Sequence, residues 1–287
     1  MTLARTQRRL LQAAAVVTFL VLAGATYQGV ATALERREFP HPGRLVDVGG
    51  HQLHLYCTGE GRPMVVLEAP AAGLSSAWGW IQPEIAETTR VCSYDRAGLG
   101  WSEAGDRPFD PAQVPVQLSA LLEAAGEKGP YVIAGQGLGA ALARLDAQHL
   151  GTEVVALVAI DVPTSVDPAE RAQQTRLVAL SPWLARAGVL RATDMLSAHA
   201  SGLPDPSQGA VRAFLNRPDH LTRAAREMAR WDEAVALASA ARLPERLRVI
   251  EVRAGRPGGV DFLSNQADAV AVSSAILSAV KTATKKR

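Results

Sequence analysis

The feature that most constrains this chain is a series of short, largely apolar runs, at residues 64–69, 90–94, 131–134 and 154–160, separated by stretches of helical periodicity at 113–125 and 138–150. A strand with one wet face alternates apolar and polar residues, so runs that stay apolar imply strands covered on both faces. Strands alternating with helices build βαβ units, which predicts an α/β fold with a mainly parallel, twisted sheet flanked by helices. Two further β-like runs, 44–48 and 52–57, precede them and are joined by Gly49-Gly50, a hairpin signal. Between residues 163 and 230 the pattern turns to helical segments broken by Pro182, Pro204, Pro206 and Pro218, which predicts a helical cap inserted into the domain. Strand character resumes at 247–252, and an amphipathic helix over 267–280 closes the chain before a basic tail.

Ahead of this domain lies an uncharged stretch from Leu10 to Leu34, preceded by Arg5, Arg8 and Arg9 and followed by Glu35-Arg36-Arg37-Glu38. As a helix it would reach about 37 Å, enough to cross a bilayer. Its most apolar part, 13–25, has the size of a signal-peptide core, and Ala23-Gly24-Ala25 reads as a cleavage site. The uncharged run continues through Tyr27, Val30 and Ala33, which favours an uncleaved transmembrane anchor over a cleaved signal or a buried helix of a soluble domain. The expected organisation is a cytoplasmic tail over 1–9, a membrane helix over 10–34, a linker over 35–43 and one domain over 44–287. The basic tail favours the cytoplasmic side, placing the domain outside the cytoplasm, or in the periplasm of a Gram-negative cell.

Composition removes other classes. With 30 Lys+Arg against 28 Asp+Glu the charges nearly cancel, so nucleic acid is not an expected partner. Two cysteines form no disulfide framework and lack zinc-ligand spacing, and no metal or cofactor is expected.

Three blocks carry a family resemblance: residues 50–61, then Val65-Val66-Leu67-Glu68-Ala69, then the stretch 91–102, which ends Asp95-Arg96-Ala97-Gly98-Leu99-Gly100-Trp101-Ser102. Together they resemble the α/β-hydrolase superfamily, in a bacterial branch with an N-terminal hydrophobic segment. That resemblance implies a serine nucleophile in a G-x-S-x-G turn, an oxyanion loop after the third strand and a histidine base before the last helix. This sequence departs from the pattern at each position. The turn reads Gly135-Gln136-Gly137-Leu138-Gly139, with no hydroxyl at Gly137. The oxyanion loop reads Pro70-Ala71-Ala72, where proline supplies no N–H. The base position aligns with Val260, and no histidine follows His220. The final strand–helix pair of the family also has no counterpart. No catalytic residue is therefore assigned; these positions are read as vestiges.

Gly135-x-Gly137-x-x-Ala140, with Asp161 ending the next strand, also fits a dinucleotide fingerprint, which keeps a nucleotide-binding protein as an alternative. Ser75, Ser76 and Ser102 are candidates for a relocated nucleophile in a residual ester hydrolase, but the inferred fold places no histidine beside them. His51 and His54, three apart on a strand, point to opposite faces and share no metal. Trp78 and Trp80 fall near the old active-site mouth. Cys57 and Cys92 fall on strands that neighbour each other in the hydrolase sheet order, leaving open a disulfide or two buried thiols in mismatched parallel geometry. The reading is a membrane-anchored, extracytoplasmic hydrolase-like pseudoenzyme, an accessory subunit or scaffold of a membrane-associated complex, touching lipid through 10–34 with lateral helix contacts at Gly24 and Gly29.

Overall fold

The computed structural model describes residues 2–162, 168–253 and 265–285. The apolar runs form β3 (Met64–Glu68), β4 (Val91–Tyr94), β5 (Tyr131–Gln136) and β6 (Val154–Ile160), joined by β1 (Arg44–Asp47), β2 (Gln52–Thr58) and β7 (Arg248–Val252). They make one seven-stranded sheet in the order β1-β2-β4-β3-β5-β6-β7. β1 and β2 are antiparallel, as are β2 and β4, and every other pair is parallel.

Both faces of β3, β4, β5 and β6 are largely buried, which is why their sequence shows no polar alternation. Val65, Leu67, Val132, Ala134, Val158 and Ile160 point to one face, under Ile81 and Ile85 of α2 (Ile81–Ala86) and Val272 and Ile276 of α10 (Gln266–Lys285). Met64, Val66, Ile133 and Leu157 point to the other, under Leu118 and Leu121 of α3 (Val114–Ala125) and Ala143 and Ala147 of α4 (Leu138–Leu150). Each such large aliphatic contributes roughly 1.5–3 kcal/mol of burial. Among the described residues no strand lies beyond β7, whose exposed Arg248 and Glu251 blunt it as a free edge.

The cap consists of α5 (Pro168–Arg186), α6 (Val189–Thr193), α7 (Ser207–Leu215) and α8 (Pro218–Ala229). A further helix, α9 (Trp231–Ala240), lies past the expected cap boundary and belongs to the core layer: Ala234 and Ala238 pack with Leu138, Ala141 and Leu142 of α4.

The N-terminal helix departs from expectation in two respects. α1 runs unbroken over Thr2–Glu38, so residues 35–38 are helix and the linker shrinks to 39–43. Nothing in Glu35-Arg36-Arg37-Glu38 breaks a helix, and Glu35 is held by both Nη atoms of Arg191 on α6. Secondly, α1 docks on its own cap. Gly24 lies against the carbonyl of Ala187, where a Cβ would be 2.9 Å from the carbonyl carbon. Gln28 is buried, donating to the Asn216 carbonyl at 2.7 Å and accepting from Arg191 at 2.9 Å. Gly24 is thus used within the chain rather than for lateral contacts, while Gly29 faces open space. The helix has an apolar window of mean hydropathy 1.8 with none of it buried, long and apolar enough to span a membrane.

Cys57 and Cys92 are register partners on β2 and β4 and are joined as a disulfide. The pair is antiparallel, so the mismatch expected between parallel strands does not arise.

Candidate functional site

The turn from β5 into α4 keeps the geometry of a nucleophile elbow. Gly137 has φ 56° and ψ −122°, a region closed to ordinary side chains without strain, and its N–H donates to the Ile160 carbonyl at 2.9 Å. Among the described residues a Cβ on Gly137 would meet nothing within 4 Å, so none of them fills the space a nucleophile would occupy. The flanking glycines are sterically required. A Cβ on Gly135 would lie 2.6 Å from the Gly139 carbonyl carbon, and one on Gly139 would lie 2.6 Å from the Glu68 carbonyl oxygen. The side chains of Gln136 and Asp161 meet at 3.5 Å across the ends of β5 and β6.

The loop after β3 is held closed. Ala72 has φ 56°, unusual for a residue with a Cβ. Its N–H donates to Glu227 Oε2 at 3.3 Å and its carbonyl accepts from His220 Nε2 at 3.0 Å, both from α8. Pro70 has no N–H, and its carbonyl accepts from Arg96 Nη2 at 2.9 Å. The Ala72 donor that could face an oxyanion therefore already faces a carboxylate.

Beneath the loop sits a buried charge cluster that the sequence reading missed. The Arg96 guanidinium donates to Glu68 Oε1 at 2.6 Å, to Glu227 Oε1 at 2.8 Å and Oε2 at 2.9 Å, and to the Ala69 carbonyl at 2.7 Å. Tyr94 Oη donates to Glu68 Oε2. Burial works against the Arg96 charge, but Glu227 and Glu68 outweigh it and raise its pKa further. Burial raises the Glu68 carboxyl above its ordinary range despite Arg96. Asp146 of α4 is fully buried, neither carboxyl oxygen has a partner among the described residues, and burial with Glu68 nearby pushes its pKa well up. A charged residue inside the otherwise apolar run 64–69 was the available signal, since such a residue needs a buried partner.

The Asp95–Ser102 motif is built around Asp95. Its carboxylate accepts from Ser75 N at 2.6 Å, Trp101 N at 2.9 Å and His54 Nδ1 at 3.0 Å. Burial works to raise its pKa, but His54 and the two N–H groups outweigh that and hold the carboxyl below its usual range. Gly100 is required because a Cβ there would overlap the Asp95 carboxylate. Ser102 Oγ accepts from His54 N at 2.8 Å and donates to the Asp95 carbonyl at 2.6 Å.

The expectation that no histidine lies near the candidate serines is corrected here: Ser75 Oγ is 3.3 Å from His54 Nδ1. β2 carries His54 inward beside β4, and the loop after β3 folds Ser75 onto it. A serine, a histidine and an aspartate thus meet, but on the wrong nitrogen. His54 Nε2 accepts from Gly43 N at 3.2 Å, which assigns the ring proton to Nδ1, where it points to Asp95. No lone pair faces Ser75, and all three side chains are buried. Ser76 makes no bond to a histidine among the described residues. His51 precedes β2 and packs on Gly105, apart from His54. Trp78 is buried, and Trp80 Nε1 donates to the Gly202 carbonyl at 2.8 Å. His220 is buried and its pKa is lowered by that burial; Nδ1 accepts from Gly100 N at 3.1 Å, so both ring nitrogens are engaged. Val260 lies outside the described residues. The one described group with clustered metal-ligand atoms is Cys57, Cys92 and Glu127, where the disulfide removes the thiolates.

A mainly parallel sheet, a strand–turn–helix elbow after β5 and a helical cap define an α/β-hydrolase scaffold. The chain belongs to the alpha/beta hydrolase family, whose model matches residues 64–277. Among solved structures it is similar to a putative epoxide hydrolase from Pseudomonas aeruginosa, at 17% identity and TM-score 0.66 over 84% of this chain and 96% of that one. It is also similar to the enol-lactonase from Burkholderia xenovorans LB400, at 17% identity and TM-score 0.56 over 83% and 100%. At these identities the likeness concerns the fold alone. In sequence it is similar to the uncharacterized protein YbdG of Bacillus subtilis, 27% identical over 42% of this chain and 38% of that protein. It is likewise similar to the probable transporter efuK of Hormonema carpetanum, 30% identical over 32% of this chain and 14% of that protein. The chain thus spans well under half the length of these curated relatives.

Proposed function

We propose that this protein is a hydrolase-like pseudoenzyme, anchored in a membrane by α1 with its domain outside the cytoplasm, and that it acts by binding, as an accessory subunit or scaffold of a membrane-associated complex. The observation that carries this reading is Gly137, which holds the elbow conformation while presenting no nucleophile. The Ala72 N–H bonded to Glu227, the engaged nitrogens of His54 and His220, and valine at the family's base position all favour the same conclusion. The basic Arg5, Arg8 and Arg9 favour a cytoplasmic N-terminus. A disulfide suits an oxidising compartment. The expected partners are lipid around α1 and a membrane protein; the near-balanced charge does not favour nucleic acid.

The test is fluorophosphonate labelling and turnover of short-chain aryl esters by the full chain, with no signal expected in either. A second reading, a relocated nucleophile at Ser75, is favoured by its proximity to His54. It predicts labelling that disappears in Ser75→Ala, and that result would overturn the pseudoenzyme.

A further inference from the structure

We infer that the outer face of cap helix α5, with the turn into α6, is a membrane-inserted surface that lies in the same bilayer leaflet boundary as the end of α1. The inference rests on the anchored reading of α1. Three observations meet there.

The first is an exposed apolar face. Leu177, Leu180, Trp183 and Leu184 are 62%, 56%, 69% and 39% exposed. At about 100° per residue they fall within an arc of about 120° on the helix. Val189 follows, also exposed, directly after the turn. Contiguous apolar residues of this size on a water-facing helix call for an occupant.

The second is depth. The uncharged part of α1 starts at Leu10, and a span of about 20 residues from there ends near Gly29. Gly24 is then about 8 Å inside that end. Gly24 is also the residue in backbone contact with Ala187 and Gly188, the turn that closes α5. A domain docked at Gly24 cannot stand clear of the bilayer: the α5–α6 turn is drawn in to the depth of roughly 5–10 Å that interfacial helices occupy. Lifting the turn into water would leave residues 10–23 to span the membrane, only about 21 Å of helix.

The third is the polar flank. Arg186 lies over the Trp183 ring at 5.3 Å, and Arg176 is exposed on the same side of α5, one residue before the apolar stretch. A tryptophan paired with arginine suits the boundary where the ring meets acyl chains and the guanidinium meets lipid phosphate. Gln28 of α1, at this level, is bonded to Asn216 and Arg191, so burying this face does not strand it.

The experiment uses the full chain in nanodiscs of phosphatidylcholine and phosphatidylglycerol, with and without bromine on the acyl chains. α1 contains no tryptophan, so bromine quenching of tryptophan emission reports on the cap and not on the anchor. With five tryptophans in the chain, brominated lipid should remove up to about one fifth of the emission, and most of that loss should vanish in Trp183→Phe. Equal quenching of wild type and Trp183→Phe, in protein that still co-floats with lipid, would overturn the inference and leave the anchor intact. Failure to co-float would overturn the anchored reading and this inference with it. A benzophenone amino acid at Leu180 should give lipid adducts in native membranes; a discrete protein adduct would overturn the lipid assignment in favour of a protein partner.

Discussion

The elbow makes a graded prediction from three glycines within five residues. Gly137→Ser introduces a side chain that meets none of the described residues, so its cost is conformational, about 1–3 kcal/mol for holding a non-glycine residue at φ 56° and ψ −122°. Gly135→Ala and Gly139→Ala each drive a Cβ to 2.6 Å or less from backbone atoms that cannot swing aside, in the first case the Gly139 carbonyl and in the second the carbonyls of Glu68 and Ala69. Relieving either contact means moving the start of α4 away from β3 or β5 by roughly 1 Å, which costs on the order of 3 kcal/mol or more in a close-packed core. For a domain of this size each kcal/mol lowers the midpoint by about 2–4 °C. In thermal unfolding of the full chain in detergent, Gly137→Ser should therefore fall by a few degrees and the two alanine variants by clearly more. Gly137→Ser should also stay unlabelled by fluorophosphonate, since neither His54 nor His220 has a free lone pair to activate it. Equal losses at all three positions, or a neutral Gly135→Ala, would refute the packing argument; labelling of Gly137→Ser would refute the claim that the base is missing.

Asp146→Asn removes a carboxyl whose pKa burial raises well above that in the unfolded chain, so its stabilising effect should be largest near pH 8 and shrink toward pH 4, as read by urea unfolding. The sign follows from a folded pKa raised above the unfolded one: the proton favours folding below the unfolded value and stability is lost as pH rises. A pH-independent difference would contradict it. Cys57→Ser with Cys92→Ser opens a loop with a sequence separation of 35 and should cost about 4 kcal/mol, measured as a lower denaturant midpoint that dithiothreitol reproduces in wild type. Glu227→Gln leaves Arg96 with one carboxylate and should destabilise the cap by about 3 kcal/mol, visible as faster proteolysis of α8 with little change at β1.

The sheet was legible because a buried parallel strand leaves a continuous apolar trace, and the Asp95–Ser102 block fixed where in the sheet it belonged. Glycine at the centre of the elbow was equally legible, since one residue in a turn occupies that position. The Glu68–Arg96–Glu227 cluster was not, because Glu227 comes from α8 and sequence spacing says nothing about which cap residue lands on which loop. Ser75 beside His54 escaped for a related reason: their meeting depends on the loop after β3 reaching β2, from which β3 is separated by β4, a path that sequence spacing does not specify. The end of α1 was misjudged because charged residues at 35–38 read as a boundary, although charges held by a partner such as Arg191 extend a helix as well as end one.

The docking of α1 changes what kind of tether it is. A flexible linker would let the domain sample every orientation above a bilayer, and a partner would have to catch it in the right one. Gly24 seated on Ala187, Gln28 bonded to Asn216 and Glu35 clamped by Arg191 make the helix a strut fixed at three levels. With α1 in a bilayer, as proposed, a domain held this way would offer each of its faces at one height and one tilt, and its encounters with neighbours there would reduce to a search in two dimensions with rotation about a single axis.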